Sequence, residues 1–217
     1  MVSAFSSLLA GRHAANLDAH GRHVLAQVVE GATRMQQMVR DILSYSRIDR
    51  QDEPVDVDCA QVVERALFNL QGAMAEAGAE VEIGVMPMVR GDPVLLGQVF
   101  QNLIGNGIKF RRRGSPPRIA IGAARDGDRW WFSIADNGIG IAAQHTQRIF
   151  NIFQRLHPRD EYEGTGIGLA VCRKVVQRHG GEIQVESVEG QGSVFRFSLP
   201  AAVPGAALAA DDGGNAG

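Results

Sequence analysis

The sequence predicts an α+β protein, a helical hairpin followed by a two-layer α/β sandwich with a mixed sheet, and three observations carry that prediction. Leu25, Val28, Ala32, Met35, Val39 and Ile42 recur at alternating spacings of three and four, the a/d seam of a coiled coil or helical bundle. From Pro54 to Leu199, short strand-like segments interleave with helical patterns. Within that region the stretch Asp136 to Gly168 is rich in glycine and polar residues.

In the hairpin, Val2, Phe5, Leu8 and Leu9 predict a short first helix, Gly11 to Gly21 a polar break, and residues 21 to 49 one long second helix. The arms do not match, because the second would span about 43 Å and the first only about 18–20 Å. About fifteen residues of first helix are therefore expected upstream, as though the chain starts inside a larger element, and Ile42 and Tyr45 are expected to lack an antiparallel neighbour. The simpler alternative is a short helix packed elsewhere on the globular part.

After a charged linker, Asp49 to Pro54, the pattern turns to mixed α/β. Pro54 to Val57 reads as an edge strand, and Asp58 as the N-cap of a helix that runs to Ala77 and stops at Gly78. Glu80 to Val85 alternates as a strand. Asp92 and Pro93 form an N-cap and first-turn pair for an apolar helix containing Val94, Leu95, Val99, Phe100, Leu103 and Ile104, ending near Arg113 and Gly114. Strands Arg118 to Ala123 and Arg129 to Ala135 flank the turn Asp126-Gly127-Asp128. A short helix is expected near Gln144 to Phe150 and a longer one from Gly168 to His179, with Gly180-Gly181 as its stop. Strands Glu182 to Glu186 and Ser193 to Leu199 complete the unit. The domain reading is a hairpin over 1–50, a sandwich over 54–200 and a disordered low-complexity tail over 201–217.

Composition narrows the function classes. With 217 residues, the chain holds one medium domain or two small ones, and 45% hydrophobic with 21% charged residues suits a packed core. A net charge of −2 provides no basic excess for nucleic-acid binding. The two cysteines, Cys59 and Cys172, are far apart and outside any CxxC pattern, which fits a reducing cytoplasm and indicates neither a disulfide framework nor a zinc site. No apolar run approaches the roughly 18 residues of a membrane span, and the N-terminus lacks a basic region with a cleavage site, so no membrane contact is expected. Only two lysines stand among 22 basic residues, so a lysine in a candidate site is a specific choice over arginine.

Three clusters could carry chemistry. Asp136-Asn137-Gly138-Ile139-Gly140-Ile141 follows a strand and loosely matches a dinucleotide-binding GxGxxA with Ala143, but it lies too deep in the chain for a Rossmann site. Gly164-Thr165-Gly166-Ile167-Gly168-Leu169 runs into a helix, so its backbone N–H groups and the helix dipole can face an anion; it is otherwise a flexible turn. On the apolar helix, Asn102, Asn106 and Lys109 stand at i, i+4 and i+7, one polar stripe on a half-buried face. An amide oxygen at Asn106 could complete a magnesium shell, and Lys109 could neutralise phosphate as a point charge; taken alone, the stripe reads rather as a solvated helix face.

At these residues the sequence resembles the sensor histidine kinases of two-component systems, which have the Bergerat-type ATP-binding fold. NLIGNGIKF (Asn102 to Phe110) looks like the N box, DNGIGI the first glycine box, FNIFQRL (Phe150 to Leu156) the F box and GTGIGLAV the second glycine box, four motifs in order. The run from Phe153 to Gly181 is similar to kinases with phytochrome-like or PAS sensory regions, and the resemblance covers residues 20 to 200.

The resemblance implies Mg-ATP as ligand. Asp136 would accept a hydrogen bond from the adenine amino group, a task suited to an acceptor-only carboxylate. Gly138 and Gly140 would admit the nucleotide to the backbone. Asn106 would ligate Mg²⁺, with Asn102 and Lys109 nearby as catalytic groups. Phe150 and Phe153 would anchor a lid closed over the triphosphate by Gly164, Thr165, Gly166, Gly168 and Leu169, although both rings could equally be core aromatics. Gly107 stands where the family often has alanine, which slightly weakens the helix. Related gyrase and mismatch-repair ATPases carry a water-activating glutamate four residues before the magnesium asparagine. Here that position is Asn102, and an amide is no general base, so transfer to a protein acceptor is the better reading.

In the family the acceptor histidine lies on the first hairpin helix, ahead of the segment resembling MVSAFSSLLA, and is therefore expected to be absent from this chain. His13, His20 and His23 read as solvated hairpin residues, His145 and His157 as surroundings of the ATP unit, and His179 as a helix-end cation. The implied partners are a response-regulator receiver domain and a second copy joined through the hairpin. Two alternatives stay open: an ATP-binding dimerisation module that regulates another kinase, and a serine kinase of the anti-sigma type.

Overall fold

The computed structural model describes residues 18–49, 53–156, 161–162 and 164–201. The predicted first hairpin helix, His13, His157 and the tail beyond Ala201 lie outside the described residues.

Helix α1 (Ala19–Arg47) is one continuous rod of 29 residues, begun by Asp18, whose side chain accepts from the Gly21 N–H at 2.6 Å. Of its apolar seam only Ala32 is buried, while Val28, Met35, Val39 and Ile42 are each 45–59% exposed. The helix end is different. Ile48 is fully buried, Tyr45 packs on the core, and Ser44 shares hydrogen bonds with Gln98. The partner expected to be missing for Tyr45 is therefore found on the sandwich, where Lys174 lies 4.3 Å from the Tyr45 ring centroid and donates to its carbonyl at 3.1 Å. Lys174 also pairs with Asp49 at 2.8 Å, and Arg178 donates to the Ile48 carbonyl.

The sandwich follows: β1 (Val55–Asp58), α2 (Cys59–Ala77), β2 (Glu80–Ile83), β3 (Met88–Gly91), α3 (Pro93–Lys109), β4 (Arg118–Asp126), β5 (Arg129–Asp136), α4 (Gly168–Arg178), β6 (Ile183–Val188) and β7 (Gly192–Pro200). Two short 3₁₀ turns, Ala143–His145 and Arg148–Phe150, replace the single helix expected near Gln144. Asp58 caps α2 through the Ala60 N–H, and Gly78 closes it in the left-handed conformation. Asp92 caps α3 by accepting from both Val94 and Leu95 N–H groups, with Pro93 in the first turn.

The main sheet runs β2-β4-β5-β7-β6, with β2 parallel to β4 and every other pair antiparallel, so it is mixed. β3 was not expected from sequence. It pairs antiparallel with β1 in a separate two-stranded ribbon, register Val57 with Val89. Four residues bounded by Pro87 and the α3 cap are too few to show a period of two.

Helices α2, α3 and α4 cover one face of the sheet, burying Leu96, Phe100, Leu103, Ile104, Val175 and Val176 against Ile119, Ile134, Phe132 and Phe197. Phe100 meets Phe132 and Phe197 edge-on at 5.6 and 5.5 Å, and the latter two stack at 4.9 Å. Truncating any one to alanine should cost about 3–5 kcal/mol. β6 alternates half-buried and exposed residues along its length, as a two-layer sheet with one open face requires. Helix α3 stops at Lys109, sooner than expected, because the Phe110 carbonyl turns away to accept from the Ile139 N–H at 2.9 Å. That early exit brings the first glycine cluster against the helix end.

Candidate functional site

A cavity of about 580 Å³ opens between α3, the two glycine clusters and α1. One wall is the polar stripe of α3, Gln98, Asn102, Asn106 and Lys109, which the 3.6-residue period sets in line. Asp136, at the end of β5, stands on another wall with Gly140, Ile141 and Ser193. Gly164, Thr165, Gly166, Gly168 and Leu169 complete the mouth.

Asp136 is the most strongly perturbed acid on the wall. Burial pushes its carboxyl above the ordinary 3.8, partly offset by N–H groups of Gly138 and Ser193 that favour the ionised form. The Gly138 bond is 2.8 Å. Gly138 itself is buried behind the carboxylate, and a Cβ there would come within 2.5 Å of the Phe110 carbonyl oxygen. Gly140 needs its freedom for two reasons: φ is +69°, and a Cβ would lie 2.1 Å from the Val188 carbonyl oxygen.

On the opposite side, Asn102 Nδ2 donates to the Gly168 carbonyl at 3.4 Å, and a Cβ at Gly168 would meet Asn102 Oδ1 at 3.1 Å. Asn102 thus clamps the start of α4 to α3. Lys109 Nζ lies 4.1 Å from the Phe110 ring centroid and is the nearest atom, at 2.9 Å, to where a Gly164 Cβ would stand. Phe110 in turn packs against Tyr162 at 5.0 Å, and Arg155 donates to the Gly164 and Tyr162 carbonyls. The second glycine cluster is thereby held over the lysine.

Of the sequence-derived residues, Asn102, Asn106, Lys109, Asp136, Gly140, Gly164, Thr165, Gly166, Gly168 and Leu169 come together on this cavity, and Gly138, Phe150 and Phe153 do not line it. Phe150 is buried edge-on to Phe195, a cavity-wall residue, at 6.5 Å. Phe153 is 55% exposed with φ of +63°. Gln37, Asp41 and Ser44 of α1 also line the cavity, and Thr165 Oγ1 donates to Asp41 Oδ2 at 2.5 Å. No local sequence pattern announces that contact, since 124 residues separate the partners. Gln98 was legible, lying one turn before Asn102 on the same stripe.

The other reactive side chains are accounted for. Burial pushes both Cys59 and Cys172 thiols up to about 12, so neither is a nucleophile at neutral pH. His179 is not the helix-end cation expected: its Nε2 accepts from the Asp92 N–H at 3.0 Å while Nδ1 faces the Val175 carbonyl at 2.8 Å, an arrangement only the neutral ring satisfies. His20, His23, His145 and His179 all stand off the cavity lining. Among the described residues, no three His, Cys, Asp or Glu side chains converge as a metal cluster, and no helix is long and apolar enough to cross a membrane.

The arrangement suits a polyanionic ligand with an amino-bearing base. An acceptor-only carboxylate closes one end, while amides, a lysine and a glycine-rich helix start face the other. The profile of the histidine kinase-, DNA gyrase B- and HSP90-like ATPases matches residues 91–203. The chain is 48% identical over 200 residues to the phytochrome-like protein Cph1 of Synechocystis sp., covering 92% of this chain and 27% of that protein. It is 44% identical to cyanobacterial phytochrome A of Nostoc sp., covering 92% and 26%. It therefore spans about a quarter of these curated relatives. The crystal structure of full-length ShkA in complex with AMPPNP superposes with a TM-score of 0.70 at 28% identity, over 94% of this chain and 43% of that one.

Proposed function

The chain belongs to the histidine kinase-, DNA gyrase B- and HSP90-like ATPase family, and we propose that it is the kinase core of a two-component sensor, passing the γ-phosphoryl group of ATP to a protein histidine. The observation that carries this reading is the amide at position 102. The α3 wall carries no carboxylate where it meets the start of α4: Asn102 stands there, committed to the Gly168 carbonyl, and the Asp41 carboxylate across the cavity is taken by the Thr165 hydroxyl. Water is then a poor nucleophile in the cavity, and a histidine ring brought in by a protein is the natural acceptor.

Asp136 accepts from the base amino group, and the Gly138 N–H on its Oδ1 favours the ionised, acceptor-only form against the burial that raises its carboxyl. Gly140 lets the first loop approach the nucleotide. Asn106 would hold Mg²⁺ through its amide oxygen, a hard donor suited to that ion. When bound, that ion supplies charge neutralisation across the phosphates. Lys109 is a point charge for the transferring group, and Gly164, Gly166 and Gly168 keep backbone N–H groups available to the same oxygens. No histidine among the described residues lines the cavity, which favours an acceptor delivered by a partner segment or protein.

The exposed stripe on α1 supports association of two copies, and the phosphoryl group would pass from histidine to an aspartate of a response regulator in a cytoplasmic relay. A second reading, an ATP-binding dimerisation module without transfer, is favoured by the seating of α1 on the cavity through Asp41 and Thr165. Incubating the chain with γ-labelled ATP and a kinase-dead, acceptor-bearing homologue separates them. Acid-labile label on the homologue supports transfer, and ATP binding without label supports the module.

A further inference from the structure

One hydroxyl outside the cavity wall holds three parts of the site together. Across the end of the sheet, Asp136 of β5, Ser193 of β7 and Ser187 of β6 stand in one row, paired Asp136 with Ser193 and Ser187 with Ser193. Ser187 Oγ receives the Ile141 N–H of the first glycine cluster at 2.8 Å, reaches the Gly192 carbonyl at 2.7 Å and touches Ser193 Oγ at 2.9 Å.

The proton directions in this trio follow from valence. The Gly192 carbonyl can only accept, so the Ser187 proton points there. The Ile141 N–H can only donate, so it takes one Ser187 lone pair, and Ser193 must donate into the other. Ser187 is then saturated, with one hydrogen given and two accepted. It has nothing left for a ligand, and its work is on its neighbours. The peptide whose carbonyl it holds is Gly192–Ser193, and Ser193 stands directly across the ladder from Asp136, while the Ile141 it also holds belongs to the loop whose Gly138 N–H meets Asp136 Oδ1 at 2.8 Å. Holding both fixes the strand opposite Asp136 and the loop that grips its carboxylate.

We infer that Ser187 is a positioning residue for base recognition: by holding the Gly192–Ser193 peptide and the Ile141 N–H, it aims the Asp136 carboxylate and the first glycine loop, and thereby sets the preference for adenine over guanine nucleotides. The inference rests on the nucleotide reading given above. An aimed acceptor rewards the amino group of adenine and penalises the carbonyl oxygen that guanine presents at the same edge. A carboxylate free to swing loses both effects.

The test is affinity for ATP, ADP and GTP in the full chain, by calorimetry with Mg²⁺ present. Ser187→Ala is expected to lose about tenfold in affinity for ATP and ADP alike, with GTP nearly unchanged. Ser187→Thr, which keeps the hydroxyl, restores the preference. Ser187→Cys keeps the volume but is a poor donor and acceptor, so it carries the same expectation as alanine should that variant fail to fold. Equal losses for ATP and GTP would mean a merely structural role and overturn the inference, as would a full preference in both Ala and Cys variants or a threonine that rescues nothing. A wild-type chain that binds no ATP contradicts the nucleotide reading itself, whereas a wild type that binds and a Ser187→Ala that discriminates equally well contradict this inference alone.

Discussion

Replacing Gly140 by alanine imposes two separate costs on one residue. The first is conformational: φ of +69° in an L-residue costs about 1–2 kcal/mol. The second is a collision, because the new Cβ would stand 2.1 Å from the Val188 carbonyl oxygen, where contacts under 3.0 Å are essentially never seen. The end of β6 must therefore retreat by about 0.9 Å, and it is backbone, not the tip of a flexible side chain. Two hydrogen bonds join these segments, Gly190 N–H to the Ile139 carbonyl at 2.7 Å and Ile141 N–H to Ser187 Oγ at 2.8 Å. Losing both adds about 2 kcal/mol, for a total of about 3–4 kcal/mol. Gly127→Ala is the matched control: its φ is +59° but nothing lies within 4 Å of the added carbon, so only the conformational cost of about 1–2 kcal/mol applies. Urea unfolding at unchanged slope measures both, and nucleotide affinity should fall for Gly140→Ala alone. If the two variants unfold within about 0.5 kcal/mol of each other, the close packing of the first glycine loop on β6 is not what requires glycine at 140.

Four further outcomes are expected. Because burial raises the Asp136 carboxyl above 3.8, ATP affinity should be full above the raised value and fall as pH drops through it, so loss begins at a higher pH than an ordinary aspartate would give. The fold itself behaves oppositely, since a raised native value means a burial cost present at neutral pH and relieved on protonation; titration calorimetry and urea midpoints from about pH 8 to about pH 4 read both signs. Asn106→Ala should abolish the magnesium-dependent part of ATP affinity and lower phosphoryl transfer by at least about 100-fold, measured with labelled ATP and a trans acceptor. Asp92→Ala, which strips the cap from two N–H groups of α3, should cost about 1–2 kcal/mol in urea unfolding. Val39→Glu, on the exposed stripe of α1, should break self-association in sedimentation experiments while leaving ATP affinity within about twofold.

Much of this architecture was readable from local chemistry. Asp58 and Gly78 announced both ends of α2, and Asp92 with Pro93 announced the start of α3, because caps are chosen by the backbone groups they satisfy. The asparagine stripe was readable because one helix period fixes it. What the sequence hid depended on distant partners. The stop of α3 at Lys109 is imposed by Ile139 taking the Phe110 carbonyl, and β3 exists because β1 pairs with it across the intervening α2 and β2. Tyr45 seemed to lack a neighbour because its contacts come from Lys174, 129 residues away. Likewise, His179 reads as a helix-end cation until the Asp92 N–H is seen to require a lone pair on it.

The most direct measurement is ATP binding by isothermal titration calorimetry, with and without magnesium, on the wild-type chain and on Asp136→Asn. The account predicts affinity that rises with magnesium and drops at least about tenfold when the carboxylate becomes an amide, because that amide presents donors to the base amino group. Binding of equal strength in the two proteins, or none in the wild type, would contradict it.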